Sequence, residues 1–154
     1  MKFNGKGVII DMSVYNGYLI KVKGIEDTAY AADFIIPLQY MILSSYKATY
    51  STLDGDTKRD GEGYLVRTVL PHKVAHCSVD IRQMSNAEIW LLMDGIQSRY
   101  TDENENKVNA SIWVPQLNDY VDAEFYVPDI EFTIRKIEPP KILYAQLTLE
   151  FIGY

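Results

Sequence analysis

A chain of 154 residues carrying 15 Lys and Arg against 21 Asp and Glu, for a net charge of −6, is long enough to fold as one domain, spanning 1–154. A chain of that size buries about 70 per cent of its unfolded surface without disulfides or metals. The lone Cys77 excludes an internal disulfide framework, and the acidic balance with scattered basic residues argues against wrapping nucleic acid by counterion release. In MKFNGKGVIID the apolar run Val8 to Ile10 stops at Asp11, too short for a signal peptide, and no stretch is apolar enough to span a membrane. The cytoplasm is therefore the expected compartment unless a larger assembly carries the chain out.

SVYNGYLIKV sets Asn16 and Gly17 between two apolar-rich runs, and both residues tolerate positive φ, so a hairpin is predicted across Val8 to Val22. Gly24 to Ala32 reads as a connection. Phe34 to Leu43 is apolar but interrupted by Pro37, which removes a main-chain donor and holds the residue before it extended, as in an edge strand or extended lead-in. Tyr46 to Leu53 and Tyr64 to Leu70 have strand composition. Between them DGDTKRDGEG is too charged and glycine-rich to pack, which predicts an exposed hairpin loop over Leu53 to Gly63.

Val74 to Gln83 reads as a further strand with Val79 and Ile81 on one face. In SNAEIWLLMDGIQSRY, Ser85 and Glu88 stand in capping-box spacing, and Ile89, Leu92, Met93, Ile96 and Tyr100 form one stripe, predicting a helix over Asn86 to Tyr100. After TDENEN, Val108, Ala110, Ile112 and Val114 alternate with polar partners, Pro115 to Asp119 turns, and Ala123 to Val127 returns. Ile130, Phe132 and Ile134 alternate again; Pro139 and Pro140 turn the chain; Ile142 to Ile152 closes it. These faces imply an antiparallel sheet with one solvated side.

Chemistry is sparse. His72, His76, Cys77 and Asp80 fall within nine residues, but in a strand residues four apart lie about 13 Å from each other and His76 and Cys77 point to opposite faces. Asp102, Asn104 and Asn106 match the start of a calcium loop, yet Lys107 replaces its glycine and Trp113 its glutamate. Starting from Asp56, Lys58 and Asp60 precede a fitting Gly61, but Arg67 replaces the glutamate. Asp129 and Glu131 would lie about 7 Å apart on one strand face, a pairing any acidic strand offers. No nucleophile elbow and no phosphate-cradling loop occurs, so no cofactor, metal or enzymatic activity is expected. Twelve tyrosines, five phenylalanines and two tryptophans, with Trp113, Tyr120, Phe125 and Tyr126 close in sequence, suit sheet packing first, a subunit interface second and a stacking platform for a ligand third.

The order Ile36-Pro37-x-x-Tyr40, the polar Asp60-Gly61 loop, the strand holding Lys73, the capped helix, then FYVPDIEFTI and the closing LTLEFIGY resembles small tail-region structural proteins of siphophages and prophages in Gram-positive bacteria. The resemblance covers Phe34 to Tyr154 and leaves out the N-terminal hairpin. It implies a β-sandwich or partly closed barrel flanked by one α-helix, like tail-tube and tail-hub modules, whose subunits form rings. On that footing the partners would be further copies of the chain and other tail proteins, with no specific nucleic-acid or membrane contact, in the virion tail. The Leu53 to Gly63 loop, with Asp54, Asp56, Lys58, Arg59 and Asp60, would reach a neighbouring subunit or ring. The rival expectation is a monomeric ligand-binding β-domain, with a carbohydrate as one candidate ligand, that uses Trp113, Tyr120 and Tyr126 as its stacking surface.

Overall fold

The computed structural model describes residues 15–154, with the backbone alone at 52–57 and 66–72, together with two N-terminal strand backbones. The strands in chain order are β1 (Lys2–Phe3), β2 (Ile9–Ile10), β3 (Ile20–Val22), β4 (Phe34–Ile35), β5 (Met41–Arg59), β6 (Leu65–Ile81) and β7 (Met84–Ser85). After helix α1 (Asn86–Gln97) come β8 (Lys107–Val114), β9 (Asp119–Tyr126), β10 (Ile134–Glu138), β11 (Lys141–Tyr144) and β12 (Leu147–Gly153). Seven form one antiparallel sheet in the order β4-β3-β8-β9-β12-β6-β5; β10-β11-β7 form a second, and β1-β2 pair with each other. The fold is thus mainly antiparallel β, sandwich-like, with one flanking helix, as expected.

Alternation explains the core. Ile20, Val22, Cys77, Val79, Ile81, Val108, Ala110, Ile112, Phe125, Leu149 and Phe151 are fully buried on one face of the large sheet, and Leu92 and Ile96 of α1 complete the same cluster. Phe125 and Phe151 meet edge to face at 6.2 Å between centroids. The sheet curls far enough for the Tyr46 hydroxyl on β5 to donate to the Trp113 carbonyl oxygen on β8 at 2.5 Å, but its end strands β4 and β5 do not pair, so no barrel closes.

The cap of α1 is the expected one. The Ser85 hydroxyl accepts from the Glu88 N–H and the Glu88 carboxylate accepts from the Ser85 N–H, each at 3.5 Å. The helix stops at Gln97, short of Tyr100, because Arg99 N–H and Tyr100 N–H turn to the carbonyl oxygens of Ile96 and Gln97 in a tighter last turn.

Other expectations change as well. The hairpin across Val8 to Val22 does not form: β3 is hydrogen-bonded to β4 on one side and β8 on the other, and Ile9–Ile10 pairs with Lys2–Phe3. Gly17 does take φ +89°, while residues 11–14 lie outside the described set. The loop over Leu53 to Gly63 is mostly strand, because β5 and β6 stay paired out to Arg59 and Leu65; main-chain pairing needs no apolar face. Asp129, Ile130, Glu131 and Phe132 are not in a strand. Pro128 lacks a donor, and β10 begins only at Ile134. Finally, Ile142 to Ile152 divides at Ala145 and Gln146 into β11 and β12, which belong to different sheets.

Candidate functional site

Chain pairing builds a projecting arm first. β12 flanks β6 only over His76 to Ile81, whereas β5 continues to pair with it from Lys73 to Leu65, so this outer part is a two-stranded ribbon. Eight residue steps at the usual rise make it about 27 Å long. Asp54 and Asp56 lie in its backbone, with side chains outside the described set. Lys58 and Arg59 are exposed beside the turn.

Asp60 shapes that turn: its Oδ1 accepts from the N–H groups of Glu62 and Tyr64, both at 2.9 Å, and its own N–H donates to the Tyr64 carbonyl oxygen at 2.8 Å. Gly63 supplies the required positive φ of +88°, and the Arg59 guanidinium donates to its carbonyl oxygen at 3.0 Å. The charged residues thus hold the turn, and the apolar side chains left outside are Tyr64 and Leu65, 67% and 53% exposed.

The three aromatic candidates do not converge. Trp113 and Tyr120 face each other across β8 and β9 with ring centroids 5.1 Å apart, and Tyr120 stacks on Tyr18 at 4.5 Å. Its hydroxyl donates to the Tyr18 carbonyl oxygen at 2.8 Å and accepts from Asn16 N–H at 2.9 Å. Tyr126 stands six residues away along β9, about 20 Å at strand rise, against Tyr154. Beside Trp113, residues Tyr15, Leu19, Leu38, Leu43, Tyr46 and Pro115 line an open, mainly apolar cavity of about 410 Å³. Such a lining offers little of the convergent hydrogen bonding that orients a sugar.

The polar candidates are occupied by structural partners. Cys77 lies in the core, where burial pushes its thiol up to about 12. His76, on the other face, has Nε2 3.6 Å from Glu150. Asp80 accepts from Thr148 Oγ1 at 2.8 Å and from Gln146 Nε2 at 3.1 Å. The His72 side chain lies outside the described set. Asp102 Oδ1 accepts from Asn104 and Glu105 N–H groups, and Asn106 Nδ2 donates to the Val127 carbonyl oxygen and to Asp129 Oδ1. Among the described residues no three His, Cys, Asp or Glu side chains gather as a metal would require.

Two exposed surfaces were not apparent from the sequence alone. Trp90 and Leu91 are 64% and 55% exposed on α1, bordering a groove of about 760 Å³ with Ala87, Phe132 and Tyr144. Both lie off the buried stripe, and that offset was the available signal. The other surface is β10, exposed throughout.

These features define a mainly antiparallel β protein with one flanking helix and with apolar side chains exposed at the tip of its β5–β6 arm and on α1. The chain belongs to the family of unknown function DUF6711, whose model matches residues 12–154. The match takes in the segment from Tyr15 that the tail-protein resemblance left out. No curated protein matches the chain. Among solved structures, one similar chain comes from the tail of an empty GTA particle computed with helical refinement and C6 symmetry. Its identity is 13%, over 91% of this chain and 96% of that one, with a TM-score of 0.40.

Proposed function

We propose that the protein is a non-enzymatic structural subunit of a phage or prophage tail that works through subunit–subunit contacts. The observation that carries the contact role is the β5–β6 arm: a two-stranded ribbon ending in exposed Tyr64 and Leu65. Two strands alone are marginal in water, so such an arm gains its stability against another surface. The uncovered Trp90 and Leu91 face supports the same reading, since contiguous apolar surface marks interaction sites.

The tail assignment itself rests on the FYVPDIEFTI and LTLEFIGY resemblance, and the ring, the siphophage of a Gram-positive host and the other tail proteins as partners follow from it. In this reading the arm reaches a neighbouring subunit or ring, the protein assembles in the bacterial cytoplasm, and it ends in the virion tail. Its net charge of −6 suits a conduit for DNA, because like charge prevents adhesion.

The test is genetic. In a host whose prophage carries this gene, purified particles should contain the protein by mass spectrometry. Replacing the arm between Thr52 and Lys73 by a two-residue turn should stop tail formation in electron micrographs while the purified variant keeps its β circular dichroism. Normal tails lacking the protein would sink the proposal.

A further inference from the structure

The edge of the small sheet has a self-complementary pattern. β10 is its outer strand, paired with β11 on one side only. In an antiparallel ladder, pairs that exchange hydrogen bonds alternate with pairs that do not. Glu138↔Lys141 closes the two-residue turn, so Ile137↔Ile142 is a pair that exchanges none. Asn86 corroborates this, because the Ile142 N–H points away from β10 and donates to Asn86 Oδ1 at 3.3 Å. The main-chain N–H and C=O of Ile137 therefore face outward from the free edge. Its side chain is 61% exposed, with Ile134 at 53% nearby. On the opposite face of the strand Lys136 and Glu138 flank it as an ion pair.

We propose that this edge is a two-fold interface with a second copy of the chain, β10 against β10 antiparallel, with Ile137 on the axis. There the two Ile137 residues exchange both main-chain hydrogen bonds, and each Lys136 stands opposite the partner's Glu138. The charge pattern reads the same under the two-fold, and this favours a second copy over an unrelated strand. Centring the pairing on Lys136 would oppose two lysines and offer main-chain groups already bonded to β11, so charge and hydrogen bonding choose the same register. The bulge at Arg135 and the donor-less Pro139 blunt the strand on either side, which restricts pairing to the short stretch around Ile137. This inference goes beyond the tail reading and does not depend on it.

Sedimentation of the full chain at low ionic strength should show a concentration-dependent dimer. Glu138→Lys turns two attractive pairs into two repulsive ones and should weaken the dimer roughly tenfold. The double reversal Lys136→Glu, Glu138→Lys should restore affinity to within about threefold of the original. Ile137→Pro removes the outward donor but no bond to β11, and should abolish the dimer. Circular dichroism checks folding of each variant, and the charge pair decides the matter if the proline variant fails to fold. A strict monomer up to roughly 1 mM, or a dimer that the single and double charge variants weaken equally or leave alone, overturns the proposal. Neither result touches whether the protein resides in tail particles, which the genetic test decides separately.

Discussion

Gly153 lies in β12 where a side chain has no room: a Cβ there would come 2.6 Å from the Ala75 carbonyl oxygen, a backbone atom that cannot swing aside. Gly153→Ala should therefore destabilise by about 1 to 3 kcal/mol through overpacking, read as a lower urea midpoint with an unchanged slope. Cys77 permits a kinetic test. With its thiol raised from 9.0 to about 12 by burial, its thiolate fraction at pH 8 falls roughly 1,000-fold, and steric closure adds to that. Ellman's reagent should leave the folded protein untouched and titrate one thiol in denaturant; fast labelling of the native chain would contradict this burial.

Asp122 gives a pH dependence. The Ser111 hydroxyl donates to its carboxylate and lowers its pKa from the ordinary 3.8, partial burial opposes the shift, and Lys23 at 3.2 Å reinforces it. A depressed carboxyl stabilises the fold above its unfolded value and loses that contribution as pH falls through its folded value. Melting temperature should thus drop on acidification below about pH 3.8, and Asp122→Asn should lack that component of the drop.

At the scale of elements, periodicity made the helix and the β8–β9 pair legible, because each has one buried and one wet face. The capping residues even located the helix start. Its contribution can be measured: Ser85→Ala should cost about 1 kcal/mol, at the lower end given the long 3.5 Å bonds, and should fray α1 in the amide shifts. The β5–β6 arm was illegible for the converse reason. A ribbon outside the body is not required to bury one side, so TLDGDTKRDGEG shows no alternation and reads as loop, although its main chain pairs. Gly17 misled in another way. Its positive φ is real, but β3 finds β4 and β8 through contacts distant in sequence, which a turn signal cannot reveal. The aromatic candidates divided for a similar reason: Trp113 and Tyr120 became neighbours through strand register, while Tyr126 is held at the far end of the same strand.

The molecule as a whole joins a well-packed body to an arm whose ladder lacks flanking strands. Body amides of β6 from His76 to Ile81 have strands on both sides and a buried face, so their exchange requires large-scale opening. Between Thr52 and Lys73 each half of the ribbon pairs with the other half, and among the described residues none of its side chains belongs to the common core. In the isolated protein, hydrogen exchange over the arm should therefore outpace that of the β6 core segment by several orders of magnitude, as free energies from near zero to global unfolding imply. If the arm docks against another subunit, assembly should slow arm exchange selectively and leave the core rates unchanged. Equal protection of arm and core before assembly would mean that the arm is already supported within one chain, and the case for a contact role would lose its principal observation.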